Sequence, residues 1–131
     1  MRPREVFFLI DLEGAVLFEE ASDSAIAIPD ARARWQRIWE LRDRLSEISH
    51  SHPLGPLGFS EVDDTTMEAI DSALGRRLTF SVVAPDGMVR REPDGKVHAV
   101  RDEPAWTSRM RALSGMTSTP DDEPNDPSNG S

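Results

Sequence analysis

The stretch His50-Ser-His-Pro-Leu-Gly-Pro-Leu-Gly-Phe-Ser-Glu-Val-Asp63 decides how the rest of the chain is read. Residues 45–49 before it have the pattern of a short strand. Beyond it, a helix is expected from about Ser60 to Gly75, with Met67, Ile70 and Leu74 turned inward. Strand side chains alternate with a period of two, so His50 and His52 at the strand's end point the same way and both imidazoles can reach one ion. Asp63 falls at the start of the helix, where the Gly- and Pro-rich loop over residues 50–59 can fold it back to add a carboxylate oxygen. Two His and one carboxylate leave the fourth tetrahedral position to water, which is the donor set of a catalytic rather than a structural zinc. Each piece also has a plainer reading: His-Ser-His-Pro fits a polar loop, and Ser60-x-x-Asp63 fits a helix N-cap with a capping-box-like partner.

Working outward, residues 6–10 are β-branched and aromatic, Glu13-Gly14 signals a turn, and residues 15–18 resume an apolar run, so the chain opens on a strand hairpin. After Pro29-Asp30, apolar residues recur at Trp35, Ile38, Trp39, Leu41 and Leu45 with arginines between them, the stripe of a helix whose two tryptophans are expected in the core. Residues 78–84 are read as a strand, Pro85-Asp-Gly87 as a turn, and residues 88–91 and 96–101 as a hairpin around Pro93-Asp-Gly95. A last helix over residues 104–113 carries Trp106, Met110 and Leu113, with Trp106 expected to anchor it to the sheet. This order describes a mixed α/β (α+β) single domain with helices packed on a sheet.

Composition narrows the chemistry. The chain has 131 residues, one domain's worth. The absence of cysteine excludes disulfides, zinc fingers and thiol nucleophiles, so a metal site must be built from His and carboxylates. A formal net charge of -9 argues against binding duplex nucleic acid through counterion release. Four of those negative charges fall in residues 115–131, which contain no base and three prolines. That segment is expected to be a disordered acidic tail, leaving residues 1–114 as the domain. The apolar run over residues 6–10 is too short for a signal peptide or a membrane span, and a cytoplasmic protein is expected.

The spacing of His50, His52, Pro53, Gly55, Ser60 and Asp63 resembles the signature of the JAMM (JAB/MPN) zinc metalloproteases, H-x-H-P-x-G followed by P-S-x-x-D, with Phe59 in place of the family's proline. The chain looks like the minimal prokaryotic members, which lack the insertions used to hold ubiquitin. The resemblance implies a JAB/MPN-like (cytidine-deaminase-like) mixed sheet flanked by helices over about residues 3–113, and one Zn2+ per chain held by His50, His52 and Asp63. It implies Glu5 as general base, since Glu5 opens an apolar strand as the family's glutamate does, although Phe8 stands where the family has glycine. Ser60 is implied as an oxyanion donor. Glu13, Glu19 and Glu20 are alternative bases, and Asp64 is the neighbour most easily confused with Asp63. His98 is read as a surface or half-buried histidine. The family carries a helix before its glutamate; with four residues ahead of Glu5, that helix is expected to be absent or replaced by a partner. The implied activity is hydrolysis of a peptide or isopeptide bond at the C-terminus of a ubiquitin-like or sulfur-carrier-like protein, with no nucleic-acid or membrane partner. A non-catalytic JAB/MPN scaffold and a RadC-like protein are the competing readings. Zinc nucleobase deaminases are excluded because they need cysteine ligands.

Overall fold

A computed structural model describes residues 3–21 and 31–116. The elements run β1 (Val6–Asp11), β2 (Val16–Ala21), α1 (Ala31–Glu40), β3 (Leu45–Ser51), α2 (Glu61–Leu74), β4 (Thr79–Ala84), β5 (Gly87–Arg91), β6 (Val97–Ala99) and α3 (Trp106–Ser114). The strands form one mixed sheet in the order β2-β1-β3-β4-β5-β6. All neighbours are antiparallel except β3 and β4, which are parallel and joined through α2. A parallel pair needs such a crossover, and in sheets of this kind ligand sites collect beyond the carboxyl ends of the strands.

Both faces of β1 are buried, which is why Val6-Phe-Phe-Leu-Ile10 reads as an unbroken apolar run. Phe7 and Leu9 join Ile48, Phe80, Leu78, Ile38, Met67 and Ile70 under α1 and α2. Val6, Phe8 and Ile10 join Val83, Met88, Trp106 and Met110 under α3. Trp106 meets Phe8 edge-on at 5.9 Å between ring centroids, the anchoring contact expected of it. Burying each such side chain contributes about 1.5–3 kcal/mol. The result is a sheet between two helical layers.

Three features depart from expectation. First, β3 continues to Ser51, so His50 lies within the strand instead of in the loop; its neighbour β4 supplies a parallel partner as far as Val83. Second, β6 is shorter than the 96–101 run. Third, the two tryptophans of α1 are not core: Trp35 is 37% and Trp39 51% exposed, whereas Ile38 is 1%. The helix stops at Glu40, so Leu41 and Leu45 leave its stripe, and Arg34, one turn before Ile38, shares the inward face. Trp39 is covered by the Arg42 guanidinium, 4.1 Å from its ring centre. At the C-terminal end, Gly115 adopts the left-handed conformation (φ 75°) that closes α3, and Met116 packs against the second core. The rest of the expected tail, residues 117–131, lies outside the described residues. Among the described residues, no helix is long and apolar enough to cross a membrane.

Candidate metal centre

His50 is the half-buried penultimate residue of β3 and His52 is the first residue after the strand ends at Ser51, with the His52 N–H donating to the Val83 carbonyl at 2.9 Å. The chain then turns tightly: Gly55 N–H donates back to the His52 carbonyl at 2.9 Å, and Gly55 has φ +76°, a conformation that favours glycine over any residue with a Cβ. This turn aims the Pro56 carbonyl at His52 Nδ1, 3.0 Å away. A carbonyl only accepts, so Nδ1 carries the proton, and in the neutral ring Nε2 is left with its lone pair facing inward.

The three donor atoms converge. His50 Nε2 and His52 Nε2 are 3.1 Å apart, His50 Nε2 is 3.2 Å from Asp63 Oδ1, and His52 Nε2 is 3.5 Å from Asp63 Oδ2. Ligands about 2.0–2.1 Å from a tetrahedral ion stand about 3.3 Å from one another, so each of these separations is close to an edge of a zinc coordination tetrahedron, with the two imidazoles meeting different oxygens of Asp63. Two imidazole nitrogens and a carboxylate this close are compatible only if a proton or a cation lies among them. The donor set is nitrogen and oxygen, as zinc accepts, and His50, His52 and Asp63 form the one such group found among the described residues.

Asp63 is held from behind. Ser60 caps α2: its Oγ accepts from Asp63 N–H at 3.1 Å, and Asp63 Oδ2 accepts from Ser60 N–H at 2.8 Å. The capping-box reading and the ligand reading are therefore both satisfied by one geometry, in which the cap fixes the carboxylate's position. Ser60 Oγ is an acceptor in that bond, which leaves its hydroxyl proton to be donated elsewhere. Burial works against the charged form of Asp63, but hydrogen bonds from His50 and His52 prevail and hold its pKa well below the usual carboxylate range. The hydrogen bond that protonated His52 donates to Asp63 is the main cause raising the pKa of His52 against the effect of burial. Asp64 belongs to the same first turn but lies on another side, lining a groove with Glu68, Asp71, Arg77 and Arg91.

Glu5 immediately precedes β1, where Phe7 pairs with His50, and it lines one cleft with His50 and Asp63. Burial raises its pKa, partly offset by the neighbouring His50 and His52. The alternative bases are committed elsewhere: Glu19 binds Arg109 through both carboxylate oxygens, Glu20 pairs with Arg34 at 3.2 Å, and Glu13 is exposed at the β1–β2 turn. The position of Glu5 is set from the opposite face of the sheet. Ser51, between the two histidines, accepts from Val6 N–H at 2.8 Å and meets Ser114 Oγ at 3.0 Å. Ser114 donates to the Arg4 carbonyl at 2.5 Å and its own carbonyl accepts from Arg4 N–H at 2.9 Å. The residues on both sides of Glu5 are thus bonded to the strand that carries the histidines and to the end of α3.

The cleft has a volume of about 260 Å3 and is mostly apolar, walled by Phe7, Ile38, Ile48, Met67 and Ile70, with the exposed side chains of Trp35 and Val62 also lining it. Sequence reasoning missed Arg34, which lines it too and lies over the Phe7 ring at 3.9 Å. The available signal was its position one helical turn before Ile38; it was hidden among the other arginines of α1, which are exposed. His98 is at the surface, paired with Glu92 at 2.7 Å, as expected. Compared with models of protein families and with curated proteins, the chain matches none.

Proposed function

We propose that this chain is a zinc-dependent metallopeptidase of the JAMM type, hydrolysing a peptide or isopeptide bond at the C-terminus of a ubiquitin-like or sulfur-carrier-like protein. The observation that carries the reading is the convergence of His50 Nε2, His52 Nε2 and the Asp63 carboxylate beside a cleft that a half-buried glutamate also lines. The class of substrate rests on the resemblance of the 50–63 motif.

In this reading His50, His52 and Asp63 hold the ion. Bound zinc supplies a Lewis acid that makes water acidic near neutral pH and polarises a carbonyl. Glu5 takes the proton from the attacking water at its carboxylate and returns it to the leaving amine; its raised pKa suits both transfers, since a group that accepts and then donates works best near the operating pH. Ser60 directs its hydroxyl proton at the oxygen that becomes negative in the tetrahedral intermediate. The Pro56 carbonyl keeps His52 in the tautomer that offers Nε2.

Metal analysis of the purified chain, followed by cleavage of ubiquitin-like fusion proteins, tests the reading. One zinc per chain is expected, lost in the His50→Ala, His52→Ala double variant, with cleavage abolished by chelation and restored by zinc. Full zinc occupancy in the double variant overturns the ligand assignment, and cleavage indifferent to chelation overturns the mechanism.

A further inference from the structure

Arg34 reaches the cleft from α1 and is divided in its bonding. Its Nε donates to Glu20 at 3.2 Å, its guanidinium carbon lies 3.9 Å from the Phe7 ring centre, and its Nη2 is buried with no hydrogen-bond partner among the described residues. Buried donors in folded proteins are almost always satisfied, so an orphaned nitrogen on a guanidinium that lines the cleft points to a ligand acceptor. Guanidinium favours a planar, negatively charged acceptor, above all a carboxylate. Apart from Glu5, His50, Asp63 and Thr66 the rest of the wall is apolar, and a cleft of about 260 Å3 lies below the size range of sites for larger ligands, enough for one residue but not for a length of peptide.

We infer that the cleft is a binding site for an apolar amino-acid residue bearing a free carboxylate, with the side chain among Ile38, Ile48, Met67 and Ile70 and the carboxylate on Arg34 Nη2. The inference rests on the proposed function only for its meaning in the reaction. Because Glu5, His50 and Asp63 line the same cleft, an occupant held there presents its acylated nitrogen to them. The substrate is then a conjugate whose bond to a terminal apolar residue is hydrolysed: water adds its hydroxyl to the acyl carbon, and the amine leaves with a proton as a free amino acid.

The probes are N-acetyl-L-leucine and N-acetyl-L-leucinamide, which differ in the carboxylate, titrated into the zinc-loaded full chain and followed by chemical-shift changes. The acid is expected to bind about tenfold or more tightly than the amide. Arg34→Gln and Arg34→Lys should each remove that preference while zinc content stays as in the wild type; Lys keeps the charge but has no second nitrogen to donate. Equal binding of acid and amide by the wild type overturns the inference, as does a preference that survives in both variants, which would place the carboxylate on zinc. The preference is also measured in the His50→Ala, His52→Ala variant. A chain that holds no zinc even as the wild type, but prefers the acid through Arg34, overturns the proposed function and leaves this site standing.

Discussion

Asp63→Asn separates the two roles that Asp63 combines. The asparagine oxygen can still accept from Ser60 N–H, now 2.8 Å from Oδ2, and its backbone N–H can still donate to Ser60 Oγ, so the cap of α2 survives. The amide nitrogen faces His50 Nε2, where a neutral imidazole accepts. In the metal-free protein the cost is therefore about 1 kcal/mol, the scale of one hydrogen bond. Zinc loses its only anionic ligand of the three. Mutating groups that merely orient ligands costs about 10- to 100-fold in metal affinity, so losing the ligand charge should cost at least about 100-fold, or ~2.7 kcal/mol. Ser60→Ala is the mirror image. It removes the cap acceptor, costing about 1 kcal/mol and lowering the melting temperature by about 4–8 °C in a domain of this size, while the carboxylate and its zinc remain. Zinc competition against a chelator of known affinity and thermal melts of the metal-free proteins give both quantities. If Asp63→Asn holds zinc as tightly as the wild type, Asp63 is a helix cap and nothing more.

Glu5→Gln should keep one zinc per chain and lower the rate of hydrolysis by about 100-fold or more, read by single-turnover cleavage and metal analysis; an active variant moves the base elsewhere. Zinc affinity should fall on acidification. Binding requires neutral histidines, and because Asp63 raises the pKa of His52 the competition from protons begins above the ordinary histidine value of about 6.5; a flat profile between pH 8 and pH 6 contradicts it. Arg111 binds Glu103 at 2.7 Å and also donates to the Ala84 and Gly87 carbonyls, so it ties α3 to the β4–β5 turn. Arg111→Ala should destabilise by about 1–3 kcal/mol in chemical denaturation at neutral pH. The hydrogen bond from Arg111 lowers the pKa of Glu103, so this pair's share of stability is present above the unfolded glutamate value and is lost as pH falls through the lower folded value. The difference between wild type and Arg111→Ala should shrink in acid, and a difference that grows there is incompatible with the pair.

The site was legible because its chemistry is local. His50, His52, Ser60 and Asp63 lie within one strand–loop–helix passage, and strand period and cap spacing are enough to bring them to one point. Glu5 was legible only through the resemblance, since its place beside the histidines depends on the antiparallel pairing of β1 with β3. Arg34 escaped for the opposite reason: composition made it one of many arginines, and only the early end of α1 at Glu40 shows which face turns inward. The same early end misled the reading of Trp35 and Trp39. Apolar spacing continued through Leu41 and Leu45, but those residues pack from the turn and from β3, so the helix needed no wide apolar face.

The hydrogen bonds among Ser51, Ser114 and Arg4 also set an order in time. During synthesis the segment bearing His50, His52 and Asp63 leaves the ribosome long before residue 114 does. The three candidate ligands can therefore gather on a nascent chain whose Arg4 carbonyl and N–H still lack their partners, and the segment carrying Glu5, held on one side by Val6 N–H and Ser51, is fastened on the other only when α3 has emerged. A polypeptide cut short before Ser114 would keep the histidine and aspartate donors and lose one of the two tethers that flank Glu5.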